Sequence, residues 1–350
     1  MKIVAVLYPG GAAAAETPEL LGCAENALGL REWLEGAGHE LVATSDAGAG
    51  LDRHLPTADV LIATPFWPAY ISRERIESAP NLKLLLTAGV GSDHFDLAAA
   101  AERSITVAEI TGSNVVSVAE HVVMQILTLV RNYMPAYREV LDGGWDIGKV
   151  AAPSHDLEDK RVGIVGFGRI GQRVATRLKP FDVQLRYFDY RRLPHAEETV
   201  LGARYQGLRD LVSESDVVSI NIPLTPATQG MFDRELLNSM KKGAYLVNTA
   251  RGRIVDTDAL VEVMESGHLA GYAGDVWYPQ PAPADHPWRR MPNHAMTPHV
   301  SGTTLEAQRR YSNGVRECLT AFLAGEPIDR DYIIVDGGRV SSPSYSPAYQ

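Results

Sequence analysis

The fold is decided by the stretch Val162-Gly-Ile-Val-Gly-Phe-Gly-Arg-Ile-Gly171, which predicts a buried strand, a glycine turn and the start of a helix. Gly166, Gly168 and Gly171 fit the pattern G-x-G-x-x-G. In this pattern the first glycine allows a tight turn, the second lets the backbone approach a pyrophosphate, and the third lets helix and strand pack closely. Because the N-terminus of the following helix attracts phosphate, the stretch predicts a dinucleotide site.

A second apolar run, 183–188, ends on an acid in the position expected of a ribose ligand. Asp189 lies 18 residues past Gly171, close to the spacing of about 20 residues that is typical of nucleotide-binding units. Its carboxylate would bind the adenosine ribose and repel a 2′-phosphate, which favours NAD over NADP. Arg191 and Arg192 follow it and could accept a 2′-phosphate, so NADP stays open as the less favoured cofactor.

The overall composition indicates a globular protein with a small-molecule partner. Its 350 residues predict two domains, and 45% hydrophobic with 22% charged residues is an ordinary globular composition. A formal net charge of −10 argues against nucleic-acid and anionic-membrane surfaces, which rely on clustered Lys and Arg. Cys23 and Cys318 are the only cysteines, which excludes a cysteine-built zinc site and favours a reducing compartment. Because no segment approaches the roughly 18 apolar residues of a membrane span, we expect a cytoplasmic protein.

Strand and helix patterns alternate along the chain, which indicates an α/β fold of two doubly wound parallel sheets, Rossmann-like or flavodoxin-like. Since the nucleotide motif begins in mid-chain, the residues before it need a core of their own, to which the last predicted helix would return. We therefore expect a discontinuous substrate domain, 1–114 with 302–350, and an NAD-binding Rossmann domain, 115–301. The active site is expected in a cleft between them.

Three further segments have distinct characters. The stretch from Asn114 to Arg131 predicts a long helix that is apolar over most of its circumference and must therefore be buried. The segment 143–159 is expected to be an irregular loop. No regular structure is assigned to the tail 341–350, which is rich in Ser, Pro and Tyr.

Three polar residues each come directly after a predicted strand in the second half of the chain. They are Arg251, Gln280 and His299. Strand ends of one sheet meet at the edge where the nicotinamide would lie, so these side chains are candidates for catalysis. Taken alone, Arg251 could be a surface arginine, Gln280 a loop amide and His299 a histidine whose hydrogen bonds are satisfied. Their combination with the nucleotide motif favours a catalytic role.

Several strings resemble the D-2-hydroxyacid dehydrogenase superfamily and, within it, the NAD-dependent formate dehydrogenases, over nearly the whole chain. The resemblance implies a metal-independent oxidation of formate to carbon dioxide by direct hydride transfer to NAD+, and, together with the buried helix, a homodimer. The strings that carry it are Pro65-Phe-Trp-Pro-Ala-Tyr70, Thr87-Ala-Gly-Val-Gly-Ser-Asp-His94, Gly112-Ser-Asn-Val-Val-Ser-Val-Ala-Glu-His-Val-Val-Met124, Asp275-Val-Trp-Tyr-Pro-Gln-Pro-Ala-Pro283 and Pro298-His-Val-Ser-Gly-Thr-Thr304.

Gln280 distinguishes formate oxidation from hydroxyacid chemistry. Hydroxyacid dehydrogenases pair their histidine with a glutamate, which raises the histidine pKa and lets it exchange a proton with the substrate hydroxyl. Formate has no hydroxyl, and its oxidation moves only a hydride. A neutral partner for His299 therefore suits a reaction that needs no general base.

The resemblance implies a small dry formate pocket. Arg251 and Asn114 would bind the formate oxygens, since a guanidinium neutralises a carboxylate and holds it in a fixed plane. The residues that would orient or enclose the substrate beside them are His299, Gln280, the backbone amide of Val90, Pro65 and Phe66.

The motif and the resemblance together predict the cofactor contacts. Asp275 would orient the nicotinamide carboxamide, and Thr249 and Pro223 would line the cofactor groove. Phe167 and Thr225 depart from the family pattern, where a small residue and a histidine are usual, and both concern cofactor fit. The full set expected to contact NAD is Gly166, Gly168, Arg169, Ile170, Gly171, Asp189, Pro223, Thr225, Thr249, Ala250, Arg251, Asp275, His299, Ser301 and Gly302.

Two other functions remain open from the sequence. A D-2-hydroxyacid dehydrogenase of the glyoxylate or pyruvate type would reduce those substrates with NADH, although Gln280 is unfavourable for it. A non-catalytic, NADH-sensing corepressor would bind cofactor and a partner protein, although retention of Arg251, Asn114 and His299 argues against it.

Overall fold

The computed structural model describes residues 1–46 and 49–345, and the chain divides into two compact units. The first unit consists of Met1–Asn114 and the chain from Gly302 onward, and the second consists of Val115–Ser301. Each unit has its own sheet and its own core. In the tail 341–350, to which the sequence assigns no regular structure, Pro343–Tyr345 form a short 3₁₀ helix, and residues 346–350 lie outside the described residues.

Strands and helices alternate along both units, as the sequence predicts. The strands are β1 (Lys2–Val6), β2 (Glu40–Thr44), β3 (Val60–Ala63), β4 (Leu84–Thr87), β5 (Thr106–Glu109), β6 (Arg161–Val165), β7 (Gln184–Phe188), β8 (Ala203–Tyr205), β9 (Val217–Ile220), β10 (Tyr245–Asn248), β11 (Gly271–Gly274), β12 (His294–Met296), β13 (Ile333–Asp336) and β14 (Arg339–Val340). The α-helices are α1 (Ala12–Glu16), α2 (Arg31–Gly36), α3 (Ala49–Asp52), α4 (Arg73–Glu77), α5 (Leu97–Glu102), α6 (Val115–Val130), α7 (Tyr133–Leu141), α8 (Ile147–Ala151), α9 (Arg169–Leu178), α10 (His195–Leu201), α11 (Leu208–Glu214), α12 (Arg234–Ser239), α13 (Thr257–Glu265) and α14 (Leu305–Ala324).

The sheet of the first unit has the order β14-β13-β5-β4-β3-β1-β2. Strands β1 to β5 pair in parallel, whereas β13 pairs antiparallel with β5 and with β14. Successive residues of β1 enter different clusters, because side chains alternate across a strand: Val4 and Val6 on one face, Ile3 and Ala5 on the other. Both faces are therefore buried.

Helix α14 returns to the first unit, as predicted from the sequence. It begins after Thr304, whose hydroxyl accepts a hydrogen bond from the Ala307 amide, and ends at Gly325 with a left-handed backbone (φ 73°). Its Tyr311, Val315 and Leu319 are fully buried in the same cluster as Ile3 and Ala5.

The sheet of the second unit is entirely parallel and has the order β12-β11-β10-β9-β6-β7-β8. From β6 the chain moves to β7 on one side and later to β9 on the other. In doubly wound sheets a ligand binds at the carboxyl ends of the strands where the order reverses in this way. The glycine turn follows β6 and therefore lies at this point.

Helix α6 packs one face against the second unit's sheet, whereas Val116 and Met124 are exposed, so the helix is less buried than the sequence predicts. Its Val122 and Ile126 are fully buried in one cluster with β6 and helix α9. The segment 143–159 is not uniformly irregular, which corrects the sequence prediction, because α8 forms within it. Asp146 starts that helix by accepting a hydrogen bond from the Lys149 amide at 3.0 Å.

No helix in the described part of the chain combines the length and apolar character needed to cross a membrane.

Candidate active site

The glycine turn after β6 has the shape that a dinucleotide needs. Gly166 has φ +92°, and a Cβ there would lie 2.6 Å from the backbone of Asn221, so no other residue fits. A Cβ on Gly171 would collide with the carbonyl oxygen of Gly166. Around the Cβ position of Gly168, by contrast, no described atom lies within 4 Å. The turn is therefore packed on its sheet side and open where a pyrophosphate would approach.

Phe167 does not obstruct this turn. Its side chain is buried and stacks on the Tyr187 ring, with centroids 4.1 Å apart and planes at 19°. Its backbone amide donates a 2.6 Å hydrogen bond to Asp189 Oδ2. The departure from the family pattern at this position is thus accommodated in the core. No side chain among the described residues caps α9, which begins at Arg169.

Asp189 stands at the end of β7, next to the glycine turn. Its Oδ2 accepts from Phe167 and its Oδ1 accepts from the Arg191 amide at 3.3 Å. These two backbone bonds orient the carboxylate, which keeps further acceptor capacity for ribose hydroxyls. This arrangement is suited to binding NAD, because Gly168 is open, no described side chain caps the N-terminus of α9 and Asp189 can accept from the ribose.

The remaining predicted groove residues follow β9 and β10, the neighbouring strands. Thr225 is mostly buried, and its Oγ1 lies 3.2 Å from Thr228 Oγ1 in the turn that begins at Pro223. Its hydroxyl therefore helps to close a turn. Thr249 is 8% exposed, and the Ala250 amide is held by the side chain of Asn248, the last residue of β10.

Arg251 is carried by a tightly fixed loop. The Asn248 side chain accepts from the Ala250 amide and donates to the Arg251 carbonyl, both at 3.0 Å. A Cβ on Gly252 would lie 2.6 Å from the backbone of Trp277, so this loop packs directly on the loop after β11. The guanidinium is partly exposed and donates to the Ala250 carbonyl at 2.8 Å.

His299 and Gln280 form a direct pair. Their Nδ1 and Oε1 atoms are 2.9 Å apart. Because an amide oxygen only accepts, Nδ1 carries the hydrogen in this arrangement. His299 is 9% exposed and has a left-handed backbone, with φ +56°.

Asp275 holds the turn on which His299 lies. Its fully buried carboxylate accepts from the amides of Val300 and Ser301, both at 2.8 Å, and from the Thr297 hydroxyl at 2.6 Å. These charge-assisted bonds support the left-handed conformation of His299. The role of Asp275 toward the nicotinamide remains a prediction.

His121, on α6, extends this network. Its Nε2 lies 3.2 Å from Thr297 Oγ1 and 4.0 Å from Asp275 Oδ1. Burial lowers the pKa of His121, and the Asp275 charge opposes that shift. A neutral His121 can therefore form a hydrogen bond with Thr297, and it adds no charge next to the turn that carries His299.

In the first unit, the residues predicted to bind or enclose formate lie on loops after three neighbouring strands. Pro65 and Phe66 follow β3, and Val90 follows β4. Gly89 has φ +141°, and a Cβ there would lie 3.0 Å from the Pro65 ring. This close approach brings the Val90 loop directly against the Pro65–Phe66 wall.

A buried carboxylate that the sequence did not single out holds the Val90 loop. Glu109, at the end of β5, is 5% exposed. Its Oε2 accepts from the Gly91 amide at 3.1 Å, the Ser92 hydroxyl at 2.9 Å and the Tyr345 hydroxyl at 3.2 Å. The Tyr345 hydroxyl also accepts from the Ser92 amide at 2.8 Å. A residue near the C-terminus therefore fixes this loop.

Asn114 follows β5. Its Oδ1 is buried without a hydrogen-bond partner among the described residues. A Cβ on Gly302 would lie 2.7 Å from Asn114 Nδ2, so Gly302 is required to leave space for this amide. Buried unsatisfied polar atoms are uncommon in native structures. Because Oδ1 only accepts, Nδ2 is the atom of this amide that could donate to a formate oxygen.

Within residues 1–46 and 49–345, no cluster of three or more His, Cys, Asp or Glu side chains could hold a metal ion.

Residues 123–301 match the family model of the D-isomer specific 2-hydroxyacid dehydrogenase NAD binding domain. The mitochondrial formate dehydrogenase of Solanum tuberosum is 52% identical over 348 residues, covering 98% of this chain and 91% of that protein. Among solved structures, Granulicella M. formate dehydrogenase is similar with a TM-score of 0.94 and 46% identity, covering 98% of this chain and 100% of that one. The NAD-dependent formate dehydrogenase of Staphylococcus aureus, solved in complex with NAD, has a TM-score of 0.90 and 53% identity, covering 96% and 99%.

Proposed function

The chain belongs to the D-isomer specific 2-hydroxyacid dehydrogenase family and, within it, to the formate dehydrogenases, and from this premise we propose how its residues carry out the reaction. It catalyses the oxidation of formate to carbon dioxide with NAD+ as the hydride acceptor. The hydroxyacid dehydrogenase and corepressor alternatives are not favoured, because relatives about half identical over nearly the whole chain are formate dehydrogenases.

The unit 115–301 is proposed to bind NAD. The open side of Gly168 and the amides of Arg169 and Ile170 would receive the pyrophosphate, and Asp189 would receive the adenosine ribose. When bound, NAD+ supplies the nicotinamide carbon that accepts the hydride.

Arg251 is proposed to bind the formate carboxylate. Its guanidinium offers paired donors and a positive charge, which neutralise the anion and hold it in one plane. The rigid backbone around Arg251, fixed by Asn248 and Gly252, reduces the freedom that binding must remove. Asn114 and the Val90 amide are proposed as the further donors, with Pro65 and Phe66 excluding water.

The His299–Gln280 pair carries the proposal for formate rather than a hydroxy acid. A carboxylate at position 280 would favour the imidazolium and so create a proton donor and acceptor. Gln280 instead orients the ring without charging it. His299 is therefore a positioned hydrogen-bonding group, and no proton has to leave the substrate.

The first experiment is to follow NADH absorbance with purified protein, NAD+ and formate. Parallel cuvettes contain NADP+ with formate, and NADH with glyoxylate. Formate-dependent NADH production is the expected result. Glyoxylate turnover without formate turnover would assign the site to hydroxyacid chemistry, and cofactor binding without any turnover would assign it to sensing.

We also propose a homodimer in the cytoplasm. Apolar side chains on and after α7 are strongly exposed, including Leu141 (66%), Trp145 (81%) and Ile147 (65%). Exposed apolar groups in such number mark an association surface. Both cysteines are free and buried, which suits a reducing compartment. The Solanum tuberosum relative is mitochondrial, so cell fractionation against an organelle marker is the test of location.

A further inference from the structure

Arg192, which the sequence leaves as a candidate ligand for a 2′-phosphate, is held in a bidentate ion pair. Its Nε lies 2.9 Å from Glu198 Oε1 and its Nη2 lies 3.0 Å from Glu198 Oε2. The two parallel bonds fix the plane of the guanidinium as well as its position. The same guanidinium lies 5.7 Å from the centroid of the Tyr205 ring. Arg192 is therefore tied to helix α10 and strand β8.

Glu198 is itself held in position by burial and by a hydrogen bond from Tyr187. It is 5% exposed, and its Oε1 accepts a 2.8 Å hydrogen bond from the Tyr187 hydroxyl. That hydroxyl in turn accepts from the Leu193 amide at 2.9 Å. The hydrogen bonds from Arg192 and Tyr187 lower the pKa of Glu198 to about 2, so the carboxylate stays charged.

Arg192 follows the ribose acid of the proposed NAD site closely along the chain. Asp189 and Arg192 are three residues apart in the segment that follows β7. In nucleotide-binding units of this type an arginine near the ribose acid is what accommodates a 2′-phosphate. The Nε and Nη2 donors of Arg192 are bonded to Glu198, so they cannot also bind a second anion.

We propose that Glu198 is a cofactor-specificity residue, which withholds Arg192 from the adenosine 2′-phosphate and so reinforces the exclusion of NADP by Asp189. The ligand group concerned is a phosphate monoester on the ribose 2′ position. The inference rests on the proposed NAD site. It adds to Asp189 a second specificity residue, which acts through Arg192 rather than by contacting the cofactor.

The test variant is Glu198→Gln. An amide can still accept from Tyr187, but it carries no charge and offers one acceptor instead of two, so Arg192 is released as a free cation. We expect the ratio of kcat/KM for NADP+ to that for NAD+ to rise roughly two- to fivefold, the scale set by one partly exposed charge pair. Glu197→Gln is the matched control, because Glu197 is an exposed carboxylate on the same helix and its change should leave the ratio as in the native protein.

A binding measurement separates this inference from the proposed reaction. Calorimetric titration with adenosine 2′,5′-bisphosphate and with adenosine 5′-monophosphate needs no turnover. Glu198→Gln should bind the bisphosphate more tightly and the monophosphate as before. Adding Arg192→Gln to that variant should remove the gain. Equal affinities for the bisphosphate in native protein and Glu198→Gln would overturn the inference, even if formate oxidation is normal.

Arg192→Gln in the native background tests the inference from the arginine side, with the Glu198 side chain unchanged. If Glu198 already withholds Arg192, removing the arginine should leave the affinity for the bisphosphate unchanged. A threefold or larger loss would show that Arg192 contacts the 2′-phosphate in the native protein, and would overturn the inference.

Discussion

Nδ1 of His299 lies 2.9 Å from Oε1 of Gln280, so the histidine at the end of the parallel sheet is oriented by a neutral amide. Asp275 fixes the backbone of the same turn through two amides. The ring thus has a defined position, and the partner of its Nδ1 is a neutral amide. This arrangement matches an oxidation in which only a hydride leaves the substrate.

Gln280→Glu should convert this pair toward hydroxyacid chemistry. A carboxylate beside the ring favours the imidazolium and so raises the histidine pKa above its ordinary value of about 6.5. The imidazolium is present below the raised pKa and is lost as pH rises through it. Reduction of glyoxylate with NADH should therefore appear at low pH and decline as pH rises, and formate oxidation should become pH-dependent. Steady-state rates across pH measure both, with Gln280→Asn as the neutral control. Profiles identical to those of the native protein would contradict this role of Gln280.

Arg251→Ala should lower kcat/KM for formate by at least about 10²–10³, the usual effect of removing one charge-stabilising donor. The cofactor site should remain, so NAD+ affinity from fluorescence titration should change much less. Arg253→Ala is the control, since Arg253 lies two residues away and contacts Gln229 and the Tyr278 ring instead. Near-native formate turnover by Arg251→Ala would rule out its proposed role.

Asp189→Gln should raise the use of NADP+ relative to NAD+. The change removes the charge that repels a 2′-phosphate, while an amide oxygen remains to accept from the Phe167 amide. The ratio of the two kcat/KM values is the readout, and melting temperature checks that the glycine turn is intact. An unchanged ratio in a well-folded variant would mean that the ribose is recognised elsewhere.

Tyr345→Phe tests whether the C-terminal segment positions the Val90 loop. The variant loses the hydroxyl that joins the Ser92 amide to Glu109. We expect KM for formate to rise severalfold with a smaller change in kcat, and unfolding free energy to fall by about 0.5–1.5 kcal/mol. Ser344→Ala, in the same exposed turn, should leave both quantities unchanged. An unaltered KM would limit Tyr345 to a structural role.

The sequence predicts those features that depend on short local patterns of residues. The glycine turn and helix α14 each depend on a few neighbouring residues, and Gln280 and His299 follow adjacent strands of one sheet. Parallel strands end at one edge, so the pattern predicted both residues at that edge, and the family resemblance predicted their pairing.

The features that sequence could not predict depend on distant partners. Glu109 and Tyr345 are 236 residues apart and meet only because β13 returns to pair with β5. The orientation of Phe167 is decided by the Tyr187 ring on the next strand. A local signal for the final hairpin did exist, since Asp336-Gly-Gly-Arg339 is a typical turn sequence after an apolar run.

The proposed dimer can be tested on the exposed apolar surface of α7 and α8, where Tyr133 and Tyr137 stack and Trp145 is 81% exposed. Burying a large aromatic at a subunit contact is often worth 2 kcal/mol or more, about 30-fold or more in dissociation constant. Trp145→Ser with Leu141→Ser should therefore shift the mass from light scattering toward the monomer at low micromolar concentration. Val200→Ser removes an equally exposed apolar side chain (74%) from α10 and should leave the dimer intact. A native mass for the double variant would place the subunit contact elsewhere, and a monomeric native protein would refute the dimer itself.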